Sequence, residues 1–169
     1  MGSWSQDVGR QGGHGAEDRR EQEDATLGAA GVPNNNYIDV GGEPRGVVRY
    51  TNADGIGVRP DGVTEKAWVD VKSTERPVLY NTEQLRAEKE GAQATGREFA
   101  VVIMSDDKDA IRPSSPLVDD ADTILHRDTA DGSWCGWDAK LQSGAGDWRS
   151  IDVNDARAVL GVGPREQED

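Results

Sequence analysis

The run FAVVIM at residues 99–104 constrains the fold more than any other stretch of the chain. It is apolar at successive positions with no alternation, and a strand of that kind has to be covered on both faces. The sequence therefore predicts a central strand over 97–105 in a mixed sheet with helices packed on it, an α/β (α+β) layer fold. The stock of apolar residues for those covers is lean. Hydrophobic residues make up 34% of the 169 and charged residues 30%, so tails or long loops are expected around one domain of ordinary size.

Around that strand the local signals order themselves readily. Residues 1–15 are Gly-rich and polar and read as a mobile tail. Residues 16–30 have helix-forming composition and should end at Gly31, ahead of Pro33. NNNYIDVGG (34–42) reads as a turn and a short strand, RGVVRYT (45–51) as a strand, and Asp54-Gly55 as the turn after it. IGVRPDGV (56–63) and KAWVDVKS (66–73) follow as a second and third strand joined at Thr64-Glu65. Asn81 with Gln84 three residues on resembles a capping box, and Gly96 is a natural stop for the helix between them. Beyond Ser105, residues 106–122 carry two prolines and read as a loop, TILHRD (123–128) and SWCGWDAK (133–140) as short strands around Asp131-Gly132, and 152–161 as a helix capped by Asp152 with Asp155 at its third position. The predicted organisation is a single domain over 16–163, with a core at 45–105 and a C-terminal extension at 106–163, and a disordered tail at 164–169.

Charge and composition narrow the function. The net charge of −13 disfavours binding to phosphates if it is spread evenly, but it is not. Residues 45–97 hold nine Lys/Arg and eight Asp/Glu, net +1, while the flanks carry −14. Such flanks read first as a solubilising surface, and second as a face that a basic partner could recognise. No apolar run approaches the length of a membrane span, and no basic region precedes a hydrophobic stretch as in a secretory signal. The single cysteine, Cys135, rules out an internal disulfide or a multi-cysteine zinc site.

The chemistry concentrates in RPDGVTEKAWVDVKS, residues 59–73. Strand alternation puts Trp68, Asp70 and Lys72 on one face and Ala67, Val69 and Val71 on the other. A hairpin from Asp61 to Asp70 brings the two carboxylates to about 5 Å apart if they pair directly. Carboxylates that close repel unless a proton or cation lies between them. A hard ion such as Mg²⁺ (or Mn²⁺) suits that position, with the Val71 carbonyl as a further oxygen donor. A neighbouring lysine can orient or help deprotonate a water, or stabilise charge on a phosphate. Each element also has an inert reading: Asp-x-Lys on an exposed strand and Pro-Asp-Gly in a turn are both common.

RPDGV, then WVDVKS, then YNTEQLRAEKEGAQATGREFAVVI resembles the PD-(D/E)xK nucleases of restriction-endonuclease fold, and most of all the C-terminal nuclease toxin domains of bacterial polymorphic toxins. The resemblance covers residues 45–105. It implies Asp61 and Asp70 as metal ligands, Lys72 as the catalytic lysine, and Gln84 as a residue approaching the site or the scissile phosphate. The family adds an acidic residue from an N-terminal helix, for which Glu17, Glu21 and Glu23 qualify and Glu23 is preferred. Further implications are a metal-dependent endonuclease, DNA favoured over RNA as substrate, a cognate immunity protein as partner, and action in a target cytoplasm after delivery by a secretion system. Arg59 and Arg86, nearest the motif, are the substrate-phosphate candidates. The acidic flanks depart from the usual basic toxin.

Other residues attract blander readings. His126 and Cys135 are expected to be structural, and Trp134, Trp137 and Trp148 to supply core mass rather than base-stacking platforms. The rival class is a non-catalytic acidic binding module, an immunity protein or nucleic-acid mimic, or an inactive nuclease fold.

Overall fold

The computed structural model describes residues 5–35, 48–74, 76–141, 144 and 146–165, with helical side chains from Asp18 onward. Helix α1 (Ser5–Ala30) is followed by β1 (Tyr50–Thr51), β2 (Gly57–Val58), β3 (Gly62–Val63) and β4 (Ala67–Ser73). Next come β5 (Val78–Leu79), α2 (Glu83–Ala94), β6 (Glu98–Ser105), a 3-10 turn at Lys108–Ala110, β7 (Arg112–Pro113) and α3 (Ser115–Asp120). The order closes with β8 (Thr123–Asp128), β9 (Trp134–Trp137), α4 (Asp138–Leu141), β10 (Trp148–Ile151) and α5 (Val153–Val159).

A six-stranded mixed sheet, β10-β9-β8-β6-β4-β3, forms the middle layer. β4, β6 and β8 run parallel, and β3, β9 and β10 add antiparallel strands at the two sides. The apolar run sits at the centre as β6, and its side chains divide between two cores as expected. Phe99, Val101 and Ile103 join Trp68, Leu85 and Ala92 of α2, and Leu117 of α3. Ala100, Val102 and Met104 join Val69 and Val71 with Leu27 of α1, Ala156 of α5 and Leu160 just beyond it. Both faces are therefore roofed. Full burial contributes about 1.5–3 kcal/mol for each such aliphatic or aromatic side chain, which is what docks short helices of modest intrinsic stability.

Several terminators fall where the sequence puts them. Gly31, Gly55, Gly96 and Gly132 all have positive φ, and Asp152 with Asp155 forms a reciprocal capping box on α5. Other features differ. Helix α1 begins at Ser5, eleven residues ahead of the expected start at Ala16, so its helical ladder continues through glycines that the sequence reading takes as tail. The cap of α2 is Thr82, whose hydroxyl accepts from the Leu85 N–H, while the Asn81 amide instead donates to Asp120 at 2.8 Å. The expected strand 56–63 is two fragments, β2 and β3, interrupted at Arg59-Pro60-Asp61 because Pro60 has no N–H to donate. Residues 106–122 contain β7 and α3 rather than loop alone, since Ser114 caps a helix with Pro116 in its first turn. The C-terminal extension is no appendage: it contributes β8, β9 and β10 to the same sheet. Residues 36–47, including the expected strand after NNN and the start of the expected strand 45–51, lie outside the described residues, as do 166–169 of the tail.

Candidate active site

Pro60 stops the β3 ladder just before Asp61, and the register Gly62↔Val69 and Val63↔Trp68 carried one step further sets Asp61 opposite Asp70. Beyond that point β4 has no strand partner on this side among the described residues, and the Asp61 carboxylate takes over: its Oδ2 accepts from the Val71 N–H at 2.8 Å. A strand residue offers its N–H and C=O to the same neighbour, so the Val71 carbonyl also faces the edge that Asp61 closes. The Val71 side chain points the other way, into the core beneath α1.

Asn35 fixes the approach to this edge. It is buried, its N–H donates to the Asp61 carbonyl at 2.8 Å, and its amide bridges the carbonyls of Pro60 and Val48 at 2.9 and 3.0 Å. Its side-chain oxygen accepts from the Val48 N–H at 2.8 Å. The sequence reading takes the asparagines only as a turn. Their repeated side-chain amides are the available hint, because such groups commonly satisfy irregular backbone.

Asp70 is 2% exposed. The face that it shares with Trp68 and Lys72 is covered by α2, because the chain returns over β4 on its way to β6. Lys72 Nζ lies 3.3 Å from Asp70 Oδ2. Helix α2 also brings Glu88, fully buried, which sequence reasoning did not single out. Its signal is positional: Glu88 shares the buried stripe of Leu85, Ala87, Gly91 and Ala92, where a carboxylate is out of place. Gly91 makes this approach possible, since its missing Cβ leaves room for the Trp68 ring.

From the other side, α1 supplies Glu23, half-buried, while Glu21 is exposed and the Glu17 side chain lies outside the described residues. Four carboxyl groups, Glu23, Asp61, Asp70 and Glu88, thus form a chain of acid-to-acid contacts with Lys72 beside Asp70. Burial, then the neighbouring Asp61 and Asp70, raises Glu23 from 4.5 to about 8. Burial raises Asp70 from 3.8 to about 7, with Lys72 opposing and Asp61 adding to the shift. Burial and Asp70 push Glu88 from 4.5 up to about 10. Burial works against the charge on Lys72, but Asp70, Glu88 and Asp61 outweigh it and raise its pKa. Lys72 is therefore a cation at neutral pH.

Among the described residues, Gln84, Arg59 and Arg86 make no hydrogen bond or ion pair with the carboxyl chain. All three are exposed: Gln84 lies one turn before Glu88, and Arg86 donates to the Asn81 carbonyl at 2.6 Å. His126 is buried, 2.6 Å from the Ser105 hydroxyl, and burial lowers its pKa. Trp134 and Trp137 are buried in the two cores, and the half-buried Trp148 packs edge-on to Trp137. Cys135 is buried and burial raises its pKa, as a structural thiol requires.

Among the described residues no three His, Cys, Asp or Glu side chains converge on one point that could hold a metal ion. The donor set nonetheless fits a hard divalent cation. Mg²⁺ keeps most of its waters and needs only one or two carboxylates, and the pairs Asp61/Asp70 and Asp70/Glu88 supply those. Asp70 Oδ2 and both Glu88 oxygens are buried without a hydrogen-bond partner. Among the described residues no helix is long and apolar enough to cross a membrane. No protein-family model, no curated protein and no solved structure matches the chain.

Proposed function

We propose that the protein is a metal-dependent nuclease of restriction-endonuclease-like fold that hydrolyses phosphodiester bonds, with DNA the favoured substrate, and that it serves as the toxin domain of an interbacterial effector. One observation carries this reading. Asp61, Asp70 and Lys72 meet at the interrupted β3–β4 hairpin, beside buried carboxyl oxygens that lack donors. The order of α1, hairpin, α2 and a parallel β6 is compatible with the fold class.

Asp61 and Asp70 would hold the ion, with the Val71 carbonyl and Glu23 beside them. A divalent cation there supplies positive charge against the phosphate and acidifies water. The chain's own groups do the rest. Lys72, held protonated by Asp70, offers a fixed positive charge to a phosphate oxygen and is poorly suited to abstract a proton at neutral pH. The buried walls of α2 and β4 keep the local dielectric low, so each charge acts with little screening.

Plasmid DNA and RNA incubated with Mg²⁺ or Mn²⁺ provide the test, using the wild type, Asp70→Ala and Lys72→Ala. Cleavage by the wild type alone is expected. Cleavage that survives both substitutions overturns the site, and no cleavage of either nucleic acid with either metal favours a non-catalytic acidic binding module. Toxicity on expression in a bacterial cytoplasm, relieved by the same substitutions, tests the effector role and gives the assay for a cognate immunity protein.

A further inference from the structure

Glu88 raises a question that the Asp61–Asp70–Lys72 arrangement leaves open. It is 0% exposed, and neither of its carboxyl oxygens has a hydrogen-bond partner. Its neighbours on the buried face of α2 are Leu85, Ala87, Gly91 and Ala92, none of which carries a donor in its side chain. The polar group it meets is Asp70, a second buried acceptor whose Oδ2 also lacks a hydrogen bond. Lys72 lies 3.3 Å from Asp70 Oδ2 and makes no hydrogen bond to Glu88. A buried carboxylate that receives no hydrogen bond is strongly unfavourable, and Lys72 offers Glu88 charge but no hydrogen bond. Leucine or glutamine would fill the same space on α2 without that cost. The two acids face each other across the junction of α2 and β4, offering oxygen donors only, which suits a hard ion and not a thiophilic one.

We infer that Glu88 is a direct ligand of the divalent cation at Asp70, which is held by the pair Asp70 of β4 and Glu88 of α2 with Asp61 reaching it only through water, so that the ion clamps the crossover helix to β4. This inference rests on the reading of Asp70 as a metal ligand and extends the site to a residue outside the Asp-x-Lys motif. The ligand class is a hard divalent ion, Mg²⁺ or Mn²⁺.

The test is Mn²⁺ titration of the full chain, stripped with chelator, by calorimetry and by the electron paramagnetic resonance of free Mn²⁺. Glu88→Gln keeps the shape and can still hydrogen-bond Asp70, so a purely structural Glu88 would leave affinity unchanged. A ligand loses at least about tenfold, the lower end of what even outer partners of metal ligands cost. Asp70→Asn should lose as much, and the exposed Glu90→Gln should match the wild type. Wild-type affinity in Glu88→Gln together with weakened binding in Asp70→Asn overturns the role of Glu88 and leaves the Asp70 site standing. Wild-type affinity in both overturns the two together. Circular dichroism in chelator verifies folding. If Glu88→Gln does not fold, Glu88→Asp replaces it: the retracted carboxylate should weaken Mn²⁺ binding, and unchanged affinity overturns the inference.

Discussion

Gly91 of α2 lies directly against the indole of Trp68 on β4, so close that a Cβ would overlap the ring. Because Gly91 and Glu88 are one turn apart on the same buried face, this contact sets how near Glu88 comes to Asp70. Gly91→Ala gains up to about 1 kcal/mol of helix propensity but overpacks the core, which costs about 1–3 kcal/mol. The expected result is a net loss of stability in urea denaturation, with cleavage falling further than the loss of folded protein explains. A stabilised and fully active Gly91→Ala would show that the close approach is not needed.

Asn35 is the latch behind the hairpin. Asn35→Ala removes its bonds to Val48 and Pro60 and leaves buried backbone groups without partners, at about 1–3 kcal/mol for each unsatisfied group. Asp61 should then lose its alignment opposite Asp70. A lower midpoint in thermal denaturation and weaker Mn²⁺ binding are expected, although Asn35 is no ligand. Wild-type values for both would place the control of Asp61 elsewhere.

The carboxyl chain gives the metal-free protein an inverted pH profile. An acid whose pKa is raised on folding stabilises the native state while protonated, and that contribution is lost as pH rises through the folded value. Asp70, raised from 3.8 to about 7, and Glu23, raised from 4.5 to about 8, both act this way, and Glu88 at about 10 extends the window. Melting in chelator should therefore decline between pH 5 and 8.5, by about 2–4 °C for each kcal/mol lost. Added Mg²⁺ or Mn²⁺ should flatten the decline, since a cation replaces the protons. A melting temperature that rises over this range without metal contradicts the raised values.

Asp70→Asn separates stability from activity. The substitution removes a buried charge that repels Asp61, so the chelated protein should be more stable than the wild type at pH 8, by about 1 kcal/mol or more. Cleavage should disappear. Parallel loss of stability and activity would mark Asp70 as a structural residue whose pairing with Lys72 holds the strand.

Lys72→Met is expected to do the opposite in part. It keeps the apolar stem that lies along the sheet and removes the positive charge facing Asp70 and Glu88, so the chelated protein should lose stability at pH 8 and cleavage should fall at least about a hundredfold. The comparison of chelated and metal-loaded melting curves reads both effects. Unaltered cleavage would assign the phosphate charge to another cation.

The features legible in the sequence are those fixed by neighbours along the chain. Alternation in AWVDVK places Trp68, Asp70 and Lys72 together, and the unbroken apolar run of β6 requires covers on both faces. The terminators at Gly31 and Gly96 follow from positive φ. Features set by distant parts of the chain were not legible. Asn35 is tied to Pro60 across 25 residues, and Asp70 is sealed by a helix whose fit depends on Gly91 meeting Trp68. Glu88 is one acid among several in the polar sequence of α2, and only the docking of that helix decides which side faces inward. The hairpin itself was half legible: the pairing of Asp61 with Asp70 follows from the turn, but the break at Pro60 that frees the Asp61 side chain needed the backbone.

The place of β6 in the sheet limits how the chain can be cut. Its neighbours are β4, which carries Asp70 and Lys72, and β8, which comes from the C-terminal third. A fragment ending after Ser105 keeps every residue of the nuclease-like motif yet turns β6 into an edge, with a full row of unpaired amides and carbonyls between two apolar faces. Such an edge recruits further strands, so the motif-bearing piece is expected to self-associate into insoluble material. Residues 106–163 are needed, whatever else they do, because they keep the most sticky strand of the protein in the interior.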